Sequence, residues 1–197
     1  MKPYAESSAQ NRAPIEAVLK QVLKDSHTVL EIGSGTGQHA VYFSKAMPWL
    51  QWQPSELKQN LGGIQLWLDE AGLENISKPI ALNVASNDWP SEKYDAAYSA
   101  NTSHIMSWQE VEDCFRGIAM ILKPEGQFCL YGPFNYGGDY TSDSNARFDA
   151  WLKQQNAKQG LRDFEALDKL AYEVGLAFSS DFEMPVNNRL LVWKKRP

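Results

Sequence analysis

Between Thr28 and His39 the chain runs Thr28-Val29-Leu30-Glu31-Ile32-Gly33-Ser34-Gly35-Thr36-Gly37-Gln38-His39. A short β-branched run gives way to glycines at alternate positions, and a helical pattern begins directly after them. That order predicts a strand, a tight turn and a helix, the opening unit of a parallel α/β sheet. Glycine lacks a Cβ and adopts positive φ, so this turn suits a backbone that must approach a bulky ligand closely. The dinucleotide fingerprint G-x-G-x-x-G fits poorly, because its third glycine would fall at Gln38. An acid, Glu31, stands two residues ahead of Gly33.

The 197 residues suffice for one domain with a sizeable core, expected over residues 1–197. Apolar residues make up 43% and charged residues 22%, ordinary for a globular chain. No stretch approaches the roughly 18 apolar residues of a membrane span, so no membrane partner is expected. The segment Met1-Lys2-Pro3-Tyr4-Ala5-Glu6 carries no apolar signal core, which makes a cytoplasmic location the expectation. Cys114 and Cys129 each lie in an apolar stretch and read as buried free thiols rather than a disulfide or a metal pair. The net charge is −5, and the one basic run, Lys194-Lys195-Arg196, reads as a solvated tail. Nucleic-acid binding, which normally needs a basic patch, is therefore not expected.

Apolar residues at helical spacing predict a helix over 14–24, with Pro14 in its first turn. Strands are expected at 28–32, 50–53, 79–82, 94–100 and 127–131, alternating with helices over 37–46, 57–71 and 107–122. Gly72 ends one helix, and Ser107 with Glu110 forms a capping box for the next. Asn87, Asp88 and Pro90 fall in a loop. A Gly-, Asp-, Ser- and Asn-rich loop over 132–145 is followed by helices at 146–155 and 163–174. Two closing strands, near 176–182 and 189–193, are joined too briefly for a crossover and should pair antiparallel. The whole predicts a mostly parallel seven-stranded sheet with one antiparallel strand and helices on both faces.

Alternating glycines preceded by an acid resemble the S-adenosylmethionine turn of class I methyltransferases, and the alternation of elements resembles their Rossmann-like fold. The resemblance implies that Gly33, Ser34, Gly35, Thr36 and Gly37 wrap the methionine and ribose of that cofactor. Glu31 would face its ammonium, directly or through water; the competing reading is an acid hydrogen-bonded to the turn. Thr36 or Gln38 could cap the following helix, and His39 reads as a packing or hydrogen-bonding residue. Glu56, nineteen positions after Gly37, offers two carboxylate oxygens for ribose hydroxyls. Ser55 competes with it, or caps the next helix. Asn83 and Val84, after the third strand, would meet adenine, unless Asn83 only makes local turn bonds. Asn101, at the end of the fourth strand, would face the sulfonium region. His104 follows as a candidate general base, against an equal reading as a structural histidine.

The resemblance narrows further. The segments Asn11-Arg12-Ala13-Pro14-Ile15, Gly35-Thr36-Gly37-Gln38-His39, Trp52-Gln53-Pro54-Ser55, Tyr131-Gly132-Pro133-Phe134, Ser144-Asn145-Ala146-Arg147-Phe148-Asp149, Gly160-Leu161-Arg162-Asp163 and Met184-Pro185-Val186-Asn187-Asn188 are similar to the methyltransferase-like protein 26 family. Asn83, where an acid is usual, and Val186, where a small residue is usual, depart from its pattern. The resemblance implies an S-adenosylmethionine-dependent methyltransferase with no settled substrate. Asn11, Arg12, Tyr131, Asn135 and Arg162 would line a small polar pocket, where an arginine would suit a carboxylate or phosphate. Turn chemistry and capping are the alternative for these residues, and Arg162 could instead hold a loop through Asp163 or Asp139.

The acidic balance favours a small-molecule acceptor. Asn101-Thr102-Ser103-His104 stands where amino-methylating enzymes often carry Asn-Pro-Pro-Tyr or Asp-Pro-Pro-Tyr, which lowers the case for base or protein-amide targets. Two other readings are open. One is a non-catalytic module that holds the cofactor and presents its loops to a protein partner of unknown identity. The other is a nicotinamide oxidoreductase, which predicts stabilisation by NAD(P).

Overall fold

A computed structural model describes residues 2–86 and 88–197. Asn87, assigned to a loop above, and Met1 lie outside the described residues. The chain runs α1 (Glu6–Val22), β1 (Thr28–Ile32), α2 (Gln38–Ala46), β2 (Gln51–Glu56), a 3-10 turn (Lys58–Asn60), α3 (Leu61–Ala71), β3 (Ile80–Ala81), β4 (Tyr94–Ala100) and α4 (Trp108–Ile121). It continues through β5 (Leu122–Gly132), β6 (Phe134–Asn135), α5 (Asp143–Gln155), β7 (Arg162–Asp163), α6 (Phe164–Glu173), β8 (Leu176–Met184) and β9 (Asn188–Lys195). Seven strands form one sheet in the order β3-β2-β1-β4-β5-β9-β8, and β6 pairs with β7 separately. All neighbours are parallel except at β9, which runs antiparallel to both β5 and β8.

Both faces of the sheet are apolar, because successive side chains alternate across it. Leu30, Ala97, Phe128 and Leu191 point to one core, against α4 and α6. Val29, Ala96, Cys129 and Val192 point to the other, against α1 and α2. Cys114 and Cys129 are buried free thiols. Ser107 and Glu110 form the expected reciprocal cap of α4, with Ser107 N donating to Glu110 Oε2 at 2.7 Å. Gly72 takes the left-handed conformation that stops α3, at φ 59°. No helix among the described residues is long and apolar enough to cross a membrane.

Two expectations need correction here. The first helix begins eight residues earlier than its apolar period suggests, so Pro14 lies inside α1. The added turns carry Ser7, Gln10 and Asn11, which face a cleft rather than a core and so show no apolar stripe. Lys123-Pro124-Glu125-Gly126, a turn by its Pro and Gly, is instead absorbed into β5, where Glu125 adopts φ 64° and the pairing with β4 slips beside it.

Candidate functional site

In register, β1, β2 and β4 end together: Ile32 lies beside Ser55 on one side and Ser99 on the other. The crevice beyond such carboxyl ends, where strand order reverses between β1 and β4, is the natural ligand position in an open α/β sheet. Two buried serines lock the end of β1. Ser55 Oγ donates to the Glu31 carbonyl at 2.6 Å, and Ser99 Oγ donates to the Ile32 carbonyl at 2.7 Å. Ser99 has then spent its proton, so Thr102 Oγ1 donates to it. Ser55 is fully buried inside β2. It neither faces a ligand nor caps a helix, and its hydroxyl is used to hold the turn.

The three glycines all have positive φ, but for different reasons. A Cβ on Gly33 would stand 2.7 Å from Thr102 Cγ2, and one on Gly37 would stand 3.1 Å from the Ile64 backbone. These two let the turn pack against its own protein. Gly35, at φ +56°, has nothing within 4 Å of a would-be Cβ, so its open side faces free space. Its N–H donates to Glu56 Oε2 at 2.9 Å, and Leu57 N–H donates to the other oxygen at 2.8 Å. The Glu56 carboxylate is thereby fixed at the mouth of the turn. Thr36 Oγ1 and Ala5 N–H both donate to Gln38 Oε1. Neither Thr36 nor Gln38 caps α2, whose N-cap is Gly37; Gln38 ties the turn to the start of α1 instead.

Glu31 is buried on the α1–α2 side of the sheet. Its Oε2 accepts from Ser34 Oγ at 2.9 Å and from Trp52 Nε1 at 3.0 Å. Oε1 has no protein partner among the described residues. Burial pushes its carboxyl up to about 7, against the lowering effect of the two donors. Nearby, Asn11 Oδ1, His39 and the Tyr98 hydroxyl form a chain of 2.7 and 3.3 Å contacts. An amide oxygen only accepts, so His39 carries its proton on Nε2 and Nδ1 accepts from Tyr98. Burial lowers His39 to about 4 and keeps it neutral.

Asn83 makes the local turn bond: its Oδ1 accepts from Ala85 N–H at 3.0 Å. The group it leaves for adenine is the amide N–H, not the acceptor expected from the sequence. Val84 is buried beside it in the core.

A cleft of about 520 Å³ opens next to the ends of β4 and β5, between α1, α5 and the β8–β9 turn. Asn101, in a left-handed conformation at φ 58°, lines it with His104, Asn11 and Tyr131. The Tyr131 hydroxyl is raised by burial, and its bond to Asn11 acts in the other direction. His104 is 4% exposed, and its Nδ1 has no hydrogen-bond partner. That nitrogen would lie 3.9 Å from a Cβ on Gly132, as would Asn101 Oδ1, so the two converge on one spot. Burial, then the Arg162 charge, lowers His104 to about 4, so the imidazole is neutral. Its ring meets Phe148 edge-on at 5.2 Å.

Three residues expected in this pocket are elsewhere. Arg12 is exposed, with its guanidinium 4.7 Å over the Tyr42 ring. Asn135 is buried in β6, beside Asp163 in register. Arg162 donates to the carbonyls of Ser103, Met106 and Lys158 rather than to a carboxylate, and so pins the loop that carries His104. The cleft instead gains Asn145 and Asn188, which sequence reasoning placed in turns and helix starts. Both do make such bonds, with Asn145 N–H accepted by Ser142 Oγ and Asn188 Nδ2 donating to the Pro185 carbonyl. No sequence signal separates a turn amide from a cleft amide.

The strand order, the single reversed strand and a glycine turn at the end of β1 define the fold of class I methyltransferases. Solved structures share it. An O-methyltransferase family protein from Burkholderia thailandensis superposes with a TM-score of 0.82 at 15% identity, covering 93% of this chain and 56% of that one. Mitomycin 7-O-methyltransferase MmcR gives 0.84 at 16% identity, covering 96% and 54%. PigF, solved with S-adenosylhomocysteine (SAH), gives 0.78 at 18% identity, covering 96% and 64%. The chain thus spans little more than half the length of the first two. Residues 2–195 match the family described as "Protein of unknown function (DUF938)", and the chain belongs to that family.

Proposed function

We propose that this protein binds S-adenosylmethionine at the β1 turn and transfers its methyl group to a small molecule held in the adjoining cleft. The observation that carries this reading is the open side of Gly35. It is the one glycine of the turn whose missing Cβ faces free space, and it is flanked by two carboxyl groups that can serve a cationic, hydroxyl-bearing ligand. The fold shared with O-methyltransferases and with PigF, which was solved with SAH, supports the same cofactor. The segments quoted above further suggest a place in the methyltransferase-like protein 26 family.

The residues fit the cofactor as follows. Glu31 offers its free Oε1 to the ammonium, and a cation there would draw off its proton. Glu56, already aligned by two N–H donors, keeps lone pairs for the ribose hydroxyls. Asn83 offers its amide N–H to the adenine edge, and Asn101 closes the sulfur end. When bound, S-adenosylmethionine supplies a methyl carbon that an acceptor lone pair displaces in line, the bonding electrons returning to sulfur. His104 stands beside Asn101, neutral and with a free nitrogen, placed to take the proton the acceptor gives up. A proton acceptor held near 4 is a weak base, so positioning by the cleft carries most of the acceleration. A module that only held the cofactor would have no use for a cleft at its sulfur end, which weighs against the non-catalytic reading.

Calorimetry on ligand-stripped protein with S-adenosylmethionine and with SAH tests the reading directly. Saturable heat with both, at one ligand per chain, is expected. No heat with either would end it.

A further inference from the structure

We infer that the cleft selects an uncharged acceptor molecule bearing hydrogen-bond donors, hydroxyls above all, and rejects carboxylates, phosphates and amines. This rests on the methyl-transfer reading above and names the substrate class of that site. It also reverses the expectation drawn from the arginines in the sequence.

Among the described residues, no side chain lining the cleft carries a charge. Arg12 lies over Tyr42, and Arg162 spends its donors on three carbonyls behind the His104 loop. A carboxylate or an ammonium entering this space would lose water and meet no opposite charge from the protein. Charged groups around it serve other ends: Glu56 fixes the turn, Asp149 is held by Tyr140, Lys153 and the Leu161 N–H, Arg189 pairs with Asp181, and Glu6 accepts from Gln10 at the rim.

Acceptor atoms on three sides of the cleft are left without a protein donor. Asn145 is 5% exposed, and its Nδ2 donates to Thr141 Oγ1 at 2.9 Å and to the Asn187 carbonyl at 3.3 Å. Asn188 Nδ2 donates to the carbonyls of Pro185 and Val186. Each amide is thus oriented by its own N–H bonds, leaving Oδ1 without a protein donor. His104 Nδ1 is buried and equally unpartnered. A buried polar atom left unpaired is costly, so His104 Nδ1, with the two amide oxygens on the same cavity, calls for a ligand that can donate to them. Phe148 supplies an apolar wall, which suits a flat ring beside those hydroxyls.

The test uses three probes with one ring and one side-chain length. They are 4-hydroxyphenylacetamide, 4-hydroxyphenylacetate and tyramine, neutral, anionic and cationic. Binding to the SAH-saturated protein is measured by ligand-observed NMR. The amide should bind about tenfold or more tighter than either charged probe. Equal or tighter binding of a charged probe, or no binding of the amide, overturns the inference. Asn188→Asp puts a carboxylate on this wall, at the loss of the N–H bonds to Pro185 and Val186, and should move the preference to tyramine. An unchanged ranking in that variant would show that this wall does not read charge; Asn145→Asp repeats the test from α5. SAH binding is recorded first for each protein. Its failure would strike the cofactor reading, whereas the ranking of the probes, measured with or without SAH, strikes only the inference about the acceptor.

Discussion

Gly35→Ala isolates the ligand-facing part of the turn from its structural part. Gly35 and Gly33 both have left-handed backbones, at φ +56° and +69°. An alanine in that conformation costs about 1 kcal/mol at either position. At Gly35 nothing else is added, because no atom lies within 4 Å of the new Cβ. At Gly33 the Cβ would meet Thr102 Cγ2 at 2.7 Å, on a side chain already fixed by its bond to Ser99. Overpacking of that kind adds about 1–3 kcal/mol. Without ligand, then, Gly35→Ala should lower Tm by roughly 2–4 °C and Gly33→Ala by about three times as much. The order reverses in the ligand's terms. On the proposed reading the Gly35 methyl would occupy space the cofactor needs, and the same overpacking penalty should weaken SAH affinity about ten- to a hundredfold. Thermal unfolding and calorimetry on the two variants read both quantities. A Gly35→Ala protein that binds SAH as tightly as the parent would refute the assignment of the turn.

Glu31→Gln tests the buried acid. Its carboxyl is lifted from 4.5 to about 7, so between those values the folded protein holds a proton that the unfolded chain has lost. Wild-type stability therefore falls over that window as pH rises, and the variant, lacking it, should gain on wild type by up to about 3 kcal/mol between about pH 5 and about pH 8. Guanidinium titrations at the two pH values measure this, and a constant difference would contradict the burial argument. His104→Ala should slow methyl transfer while leaving SAH affinity intact, and unchanged turnover removes the residue from the reaction. With the imidazole held near 4, the wild-type pH–rate profile should show no inflection from it between about pH 6 and about pH 8. Ser107→Ala removes the cap of α4 at a cost of about 1 kcal/mol. The loss should appear as a drop of roughly 2–4 °C in Tm with unchanged SAH heats.

The sheet was legible in the sequence because it is buried on both faces. β1 and β4 are short runs rich in β-branched, aromatic and alanine residues between turn signals, and their observed ends are the expected ones. The glycine turn was equally legible, since a backbone that needs positive φ three times in five residues leaves few substitutes. What escaped were features decided by contacts distant in sequence. The start of α1 hid because its outer turns border the cleft and lack an apolar stripe. Ser55 and Glu56 are adjacent and both polar, and only the strand register shows that one faces the β1 carbonyls while the other reaches the turn. Arg162 looked like an anion receptor because arginine usually is one. Its partners are backbone carbonyls, which have no identity in sequence.

That use of Arg162 bears on how such a site would work. A cation placed in the cleft would repel the sulfonium and protonated intermediates alike. Placed behind the loop, it pins the chain around His104 and disfavours protonation of the imidazole. The cleft is left polar but uncharged. Methyl transfer from a sulfonium to a neutral acceptor spreads charge over sulfur, carbon and acceptor rather than creating it. On the acceptor side, where the lining carries no fixed charge, the charge that moves onto the acceptor meets only oriented dipoles. Oriented amides serve this better than ions. They fix the acceptor through its hydroxyls, as Asn145 and Asn188 are aligned to do, and they do not trap the positive charge at its starting point.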